Sequence, residues 1–175
     1  MDWLKIVPGK TNLNKYENGN WKVHGLPDEE IASSWENMDD TSDWILNTDK
    51  QTIVGQLDWS TTKSLSGIPN LPGGEKCSLL DEDIYLDKID VYDKGKGIGT
   101  EVLERKHKQW AKKGYTSVTL FPEWSSFQPS GQRGSQKSLT LWYEGLGYNK
   151  SDKCKQKPKC ADNFDCFLTK YIGFR

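Results

Sequence analysis

Lys94-Gly95-Lys96-Gly97-Ile98-Gly99 is the stretch of this chain best suited to chemistry. Glycines at alternate positions let the backbone adopt dihedrals closed to other residues, so several N–H groups can turn toward one point and hold an anion. A helix beginning there adds partial positive charge, worth about 0.3–1 kcal/mol per exposed contact with phosphate. Lys94 and Lys96 add full charges. The spacing is not that of a Walker A loop, which needs Lys-Ser or Lys-Thr after its glycines, nor that of the dinucleotide fingerprint, whose third glycine falls elsewhere.

Carboxylates supply candidate bases. Asp87 shares a strand face with Tyr85 and Ile89, because side chains two apart point the same way; Asp90 lies on the opposite face, and Glu123 follows the next strand. Charged residues are mostly exposed, so each also reads as an ordinary surface carboxylate. Cys154, Cys160 and Cys166 recur every six residues, with Cys77 far upstream. Structural zinc sites usually pair ligands about two to four residues apart, and neither His24 nor His107 is near this cluster. No metal is therefore expected, and the cysteines read as reduced thiols around a terminal β-hairpin.

These residues need elements to place them. Residues 84–91 read as a strand that runs straight into the glycine loop. From Thr100 a helix follows, with Ile98, Val102, Leu103 and Trp110 along its apolar stripe and Gly114 as its stop. Upstream, residues 44–47 and 51–57 form a hairpin about Thr48-Asp49-Lys50, and Trp3, Ile6 and Leu13 mark a first strand. Downstream come a strand at 116–121 closed by Pro122, and an amphipathic helix carrying Leu139, Trp142, Tyr143 and Leu146 and ended by Gly147. A basic tip at 150–159 then leads to a closing strand within 164–172. Segments 61–75 and 125–135 are rich in Ser, Gly and other turn formers, and read as connectors or as lids.

In these residues the chain resembles the GNAT superfamily of N-acetyltransferases. The superfamily's signature is Gln or Arg, two residues, Gly, one residue, then Gly or Ala; Lys94, Gly97 and Gly99 stand in those places. Trp142-Tyr143 followed by Gly147-Tyr148 matches its Leu-Tyr, three residues, Gly-Phe pattern, and the order of elements agrees over about 44–172. Lys94 departs from Gln or Arg but preserves anion binding. Gln136 and Leu139 stand where the family more often has Asn and Ala, beside the thioester.

The resemblance implies a single-domain α/β (α+β) fold, with a mixed, mostly antiparallel central sheet flanked by helices. Strands 84–91 and 116–121 would splay to form a CoA cleft. An acceptor-side part would span about 1–43, a CoA-binding core 44–148 and a C-terminal hairpin 148–175. Acetyl-CoA would be the cosubstrate, its pantetheine arm paired with the main chain of Ile89 and Val91. Its pyrophosphate would rest on the amides of Gly95, Lys96, Gly97, Ile98, Gly99 and Thr100, with Gln136 on the thioester side. A primary amine would attack directly, with Tyr143 protonating the departing thiolate and Asp87 acting as base through water. Tyr143 equally reads as a helix tyrosine packing its ring in the core.

Between Asp28 and Asp43 seven acids occur with no Lys or Arg, where the family places its acceptor helices. Such a run either attracts a cationic amine (a polyamine, an aminoglycoside, a lysine or an N-terminal amine) or is a solvated helix face. Two other functions compete: a GNAT-like binding or regulatory module without turnover, and a relative that modifies nucleic acid. Seven Lys or Arg against two acids over 94–113 motivate the second. A chain of 175 residues with a formal net charge of −1 argues against gripping nucleic acid by overall charge, and its length fits one domain. Eight Trp, seven Tyr and five Phe compensate for a hydrophobic share of 34% and set the chain apart from disordered sequences. The absence of a membrane-spanning run or signal-like start predicts a cytoplasmic protein, with oligomeric state open and a homodimer included.

Overall fold

The computed structural model describes residues 1–25, 41–62, 77–122, 136–156, 160 and 166–173. The chain forms two compact units, Met1–Asp58 with Ile89–Val102, and Trp59–Lys88 with Leu103–Arg175. Three elements run from one unit into the other: strands β4 (Thr52–Thr61) and β5 (Asp83–Val91), and helix α1 (Ile98–Lys112).

In the first unit, β1 (Leu4–Pro8) pairs antiparallel with β3 (Ser42–Asn47), which pairs antiparallel with β4. The β3–β4 turn forms as the sequence predicts: Asn47 Oδ1 accepts from the N–H groups of Asp49 and Lys50, both at 3.0 Å, and Gln51 follows at φ 54°. The register moves from Ile45–Gly55 to Leu46–Ile53, so Val54 is the extra residue of a β-bulge. Its carbonyl accepts from Tyr92 N–H at 2.7 Å, at the end of β5. Strand β2 (Lys22–Val23) lies parallel to β4. Val7, Leu13, Trp21, Val23, Trp44, Leu46 and Ile53 bury against one another as this unit's core.

In the second unit, β5 pairs parallel with β6 (Ser117–Leu120) over Asp83–Leu86 and then continues to Val91. Strand β6 pairs antiparallel with β8 (Leu168–Tyr171), and β8 with β7 (Asn149–Lys150). The strand order is β1-β3-β4-β5-β6-β8-β7 with β2 beside β4, a mixed and mostly antiparallel sheet. Helix α2 (Gln136–Gly145) follows β6 in the chain.

Both helices stop in the same way. Gly114 and Gly147, each at φ 97°, donate to Ala111 and Glu144, and the next residues, Tyr115 and Tyr148, donate back to Trp110 and Tyr143. This double bond pattern satisfies the last carbonyls, and glycine takes the left-handed position without a Cβ penalty. Glu101 in the first turn and Lys112 in the last suit the dipole of α1.

The cysteines overturn the expectation of reduced thiols. Cys77 is bonded to Cys154 and Cys160 to Cys166, so no thiolate remains for redox or metal chemistry. Cys77 and Cys154 meet at an isolated antiparallel bridge, continued by a hydrogen bond from Ser78 N–H to the Lys153 carbonyl at 2.7 Å. Cys154 packs there with Tyr85 and Phe167 in the second unit's core. Among the described residues, no helix is long and apolar enough to cross a membrane.

Candidate functional site

The glycine loop falls between β5 and α1, as predicted. Gly95 and Gly97 adopt φ of 80° and 73°, where L side chains are strained. Space is not what demands glycine. A Cβ on Gly95 would meet nothing within 4 Å, and one on Gly97 only Met1 Cε at 3.8 Å. The backbone conformation demands it, and the space beside both glycines is open. Glu101 N–H donates to the Gly97 carbonyl at 3.1 Å, so the N–H groups of Ile98 and Gly99 precede that rung at the positive end of the helix dipole.

The loop's charges are arranged less simply than its sequence suggests. Asp93, only 6% exposed, sits at the base of the turn, where its Oδ2 accepts from Lys96 Nζ at 2.9 Å and its Oδ1 lies 3.5 Å from His24 Nε2. His24 is itself anchored through its N–H to the Ile53 carbonyl at 3.0 Å. Lys94 is half-buried, and desolvation lowers its pKa while the buried Asp90 carboxylate opposes that shift. Burial pushes the Tyr92 phenol well up, reinforced by Asp90 and Asp58. Of the other predicted cofactor contacts, Ile89, Val91 and Thr100 are partly buried and Ile98 and Gly99 buried, whereas Gly95, Lys96 and Gly97 are exposed.

All of these residues belong to the first unit; Asp87, Tyr143 and Gln136 belong to the second. Asp87 is exposed and accepts from Ser60 Oγ at 2.5 Å. Gln136 opens α2, and its side chain lies outside the described residues, as do Glu123, both expected lid segments except for 61–62, and the acidic run but for Asp43. Tyr143 is 5% exposed, with its ring 4.8 Å from Trp142 and 5.5 Å, edge to face, from Tyr148.

Sequence reasoning passed over the partners of that tyrosine. His107 Nε2 lies 2.7 Å from the Tyr148 hydroxyl, in the interior of the second unit. Burial, aided by the Lys170 cation, lowers His107 to about 4, so the imidazole is neutral near pH 7. The Tyr148 phenol is pushed well up by burial and by Tyr143. The helix stop held the clue: Tyr143 and Tyr148 flank Gly147 at the two positions whose side chains meet when a helix ends this way.

No family model matches the chain, and no curated protein matches it. Among solved structures it is similar to the ribosomal-protein-S18-alanine N-acetyltransferase from Escherichia coli, at 12% identity and TM-score 0.49, covering 98% of this chain and 96% of that one. It is similar to Arabidopsis thaliana Naa50 in complex with a bisubstrate analogue, at 13% identity and TM-score 0.46, covering 95% and 97%. It is also similar to PaiA N-acetyltransferase from Thermoplasma acidophilum in complex with coenzyme A, at 14% identity and TM-score 0.43. That match covers 74% of this chain, which spans 59% of the Thermoplasma protein.

Proposed function

We propose that the chain is a CoA-dependent N-acyltransferase that moves an acetyl group from acetyl-CoA to a primary amine. One observation carries this reading: two glycines in left-handed backbone turn the chain from β5 into a 15-residue helix, leaving an open cradle at its positive end. Such a cradle suits a pyrophosphate. The amides from Gly95 to Thr100 would hold that group, Lys94 would supply charge, and Ile89 and Val91 would pair with the pantetheine arm.

Acetyl-CoA, when bound, supplies an activated thioester. The neutral amine attacks its carbonyl, the new C–N bond replaces the C–S bond, the thiolate gains a proton and the amine loses one. Tyr143 is assigned the proton to sulfur, since a phenol and a thiol have similar pKa values. Asp87 is assigned the amine's proton, through water. The acidic segment upstream of Asp43 would favour a cationic acceptor. The two disulfides weigh against the cytoplasmic location expected from the sequence, because cytosolic thiols are kept reduced.

Calorimetric titration with acetyl-CoA and with CoA tests the reading. Micromolar binding is expected, abolished in Gly97→Glu, whose side chain would be forced into left-handed backbone and place a carboxylate in the anion cradle. No binding by the intact protein sinks it. A second reading, a module that binds CoA without turnover, is favoured by the burial of Tyr143 and the engagement of Asp87 by Ser60. Under that reading Tyr143→Phe leaves CoA binding intact and neither protein acetylates any amine; under the first, the variant loses turnover that the parent possesses.

A further inference from the structure

We infer that Asp93 is a positioning residue for the anion-binding turn, and that Lys96 serves the shape of that turn rather than the ligand. This rests on the reading that the turn takes the phosphates of a CoA thioester, and deepens it. Asp93 stands between the end of β5 and the first left-handed glycine and is 6% exposed. Its two oxygens are divided. One takes Lys96 Nζ at 2.9 Å, closing the chain around Gly95, and the other faces His24 Nε2 at 3.5 Å. His24 is fixed by its N–H bond to Ile53, at the edge where β2 meets β4. One carboxylate therefore ties the turn both to itself and to the strands beneath it.

Charge pairing separates the two lysines in the same sense. A lysine paired with a buried carboxylate at 2.9 Å presents little net field to an approaching phosphate, since the two opposite charges nearly cancel at a distance. Lys94, half-buried on the sequence-opposite side of Gly95, carries the ligand charge, together with the helix N–H groups. A purely electrostatic role for Asp93 predicts the reverse outcome. Its carboxylate would repel phosphate, and removing it would strengthen binding.

The sign of the effect of Asp93→Asn decides between them. With positioning, the dissociation constant for acetyl-CoA rises about tenfold, the loss of a charged hydrogen bond that held the site in shape. KM for acetyl-CoA then rises more than kcat falls, and Asp93→Glu recovers part of the loss. Amide hydrogen exchange at residues 95–100 of the ligand-free protein accelerates. Lys96→Gln, at a side chain 45% exposed, accelerates the same ligand-free exchange and weakens binding, whereas Lys94→Gln leaves that exchange unchanged and flattens the salt dependence of binding. Equal or tighter binding by Asp93→Asn, with unchanged exchange, overturns the inference. Failure of the parent protein to bind acetyl-CoA or CoA refutes the acyltransferase reading instead, while the ligand-free exchange measurement still decides whether Asp93 holds the turn.

Discussion

Reducing the two disulfides separately should reveal very unequal contributions to stability. Cys77–Cys154 closes a loop of sequence separation 77, and Cys160–Cys166 one of 6. In the chain-entropy account, a cross-link removes about 2.1 + 1.5R ln n cal/mol/K from the unfolded chain. At 25 °C this amounts to about 4.5 kcal/mol for the long loop and about 2.2 kcal/mol for the short one. For a chain of 175 residues, at about 2–4 °C per kcal/mol, Cys77→Ala with Cys154→Ala should lower the melting temperature by about 9–18 °C, and Cys160→Ala with Cys166→Ala by about 4–9 °C. Cys154 packs against Tyr85 and Phe167, so truncation there adds a cavity cost. Comparing oxidised and reduced wild-type protein removes that contribution, because the side chains stay the same. Melting curves by circular dichroism with and without reductant, alongside thiol counting by alkylation and mass spectrometry, provide the assay. Four reactive thiols in the unreduced native protein would refute the pairing, and a short-loop variant losing more than the long-loop one would refute the entropic reasoning.

His107 sets an acid limit. Its folded pKa of about 4 lies below the unfolded value of 6.5, so the unfolded chain binds more protons between them, and stability falls as pH drops through that window. Up to about 3 kcal/mol should be lost by pH 4 and spared in His107→Gln, as read from denaturant melts at a series of pH values. Gly55→Ala should cost about 1–3 kcal/mol, because its Cβ would run into the Asp90 carbonyl across β4 and β5; an unchanged urea midpoint would refute that contact. Asp83 is fully buried, and it accepts from Ser117 Oγ at 2.5 Å, Leu80 N–H at 2.7 Å and Lys153 Nζ at 3.2 Å. Asp83→Ala strands the Lys153 cation and should destabilise by about 3–5 kcal/mol, whereas a urea midpoint close to that of the parent would mean the pair contributes little.

The segment from β5 through the glycine loop into α1 was legible in the sequence, because every signal for it is local. Apolar residues between Ile84 and Val91 mark the strand, glycines permit the left-handed turn, apolar residues recur at helical spacing, and Gly114 ends the helix with a bond pattern only a few residues long. The β3–β4 turn at Asn47 and the stop of α2 at Gly147 were readable for the same reason. Only tertiary structure could pair Cys77 with Cys154, align β2 parallel to β4, or bring His107 to the Tyr148 hydroxyl, 41 residues away. The same holds for the two lysines of the loop. Their type and spacing are written in the sequence, but the pairing of Lys96 depends on the burial of Asp93 and the approach of His24 from the turn after β2. Periodicity and backbone permission act over a few residues, whereas desolvation and charge pairing depend on which distant segments the folded chain brings within a few ångströms.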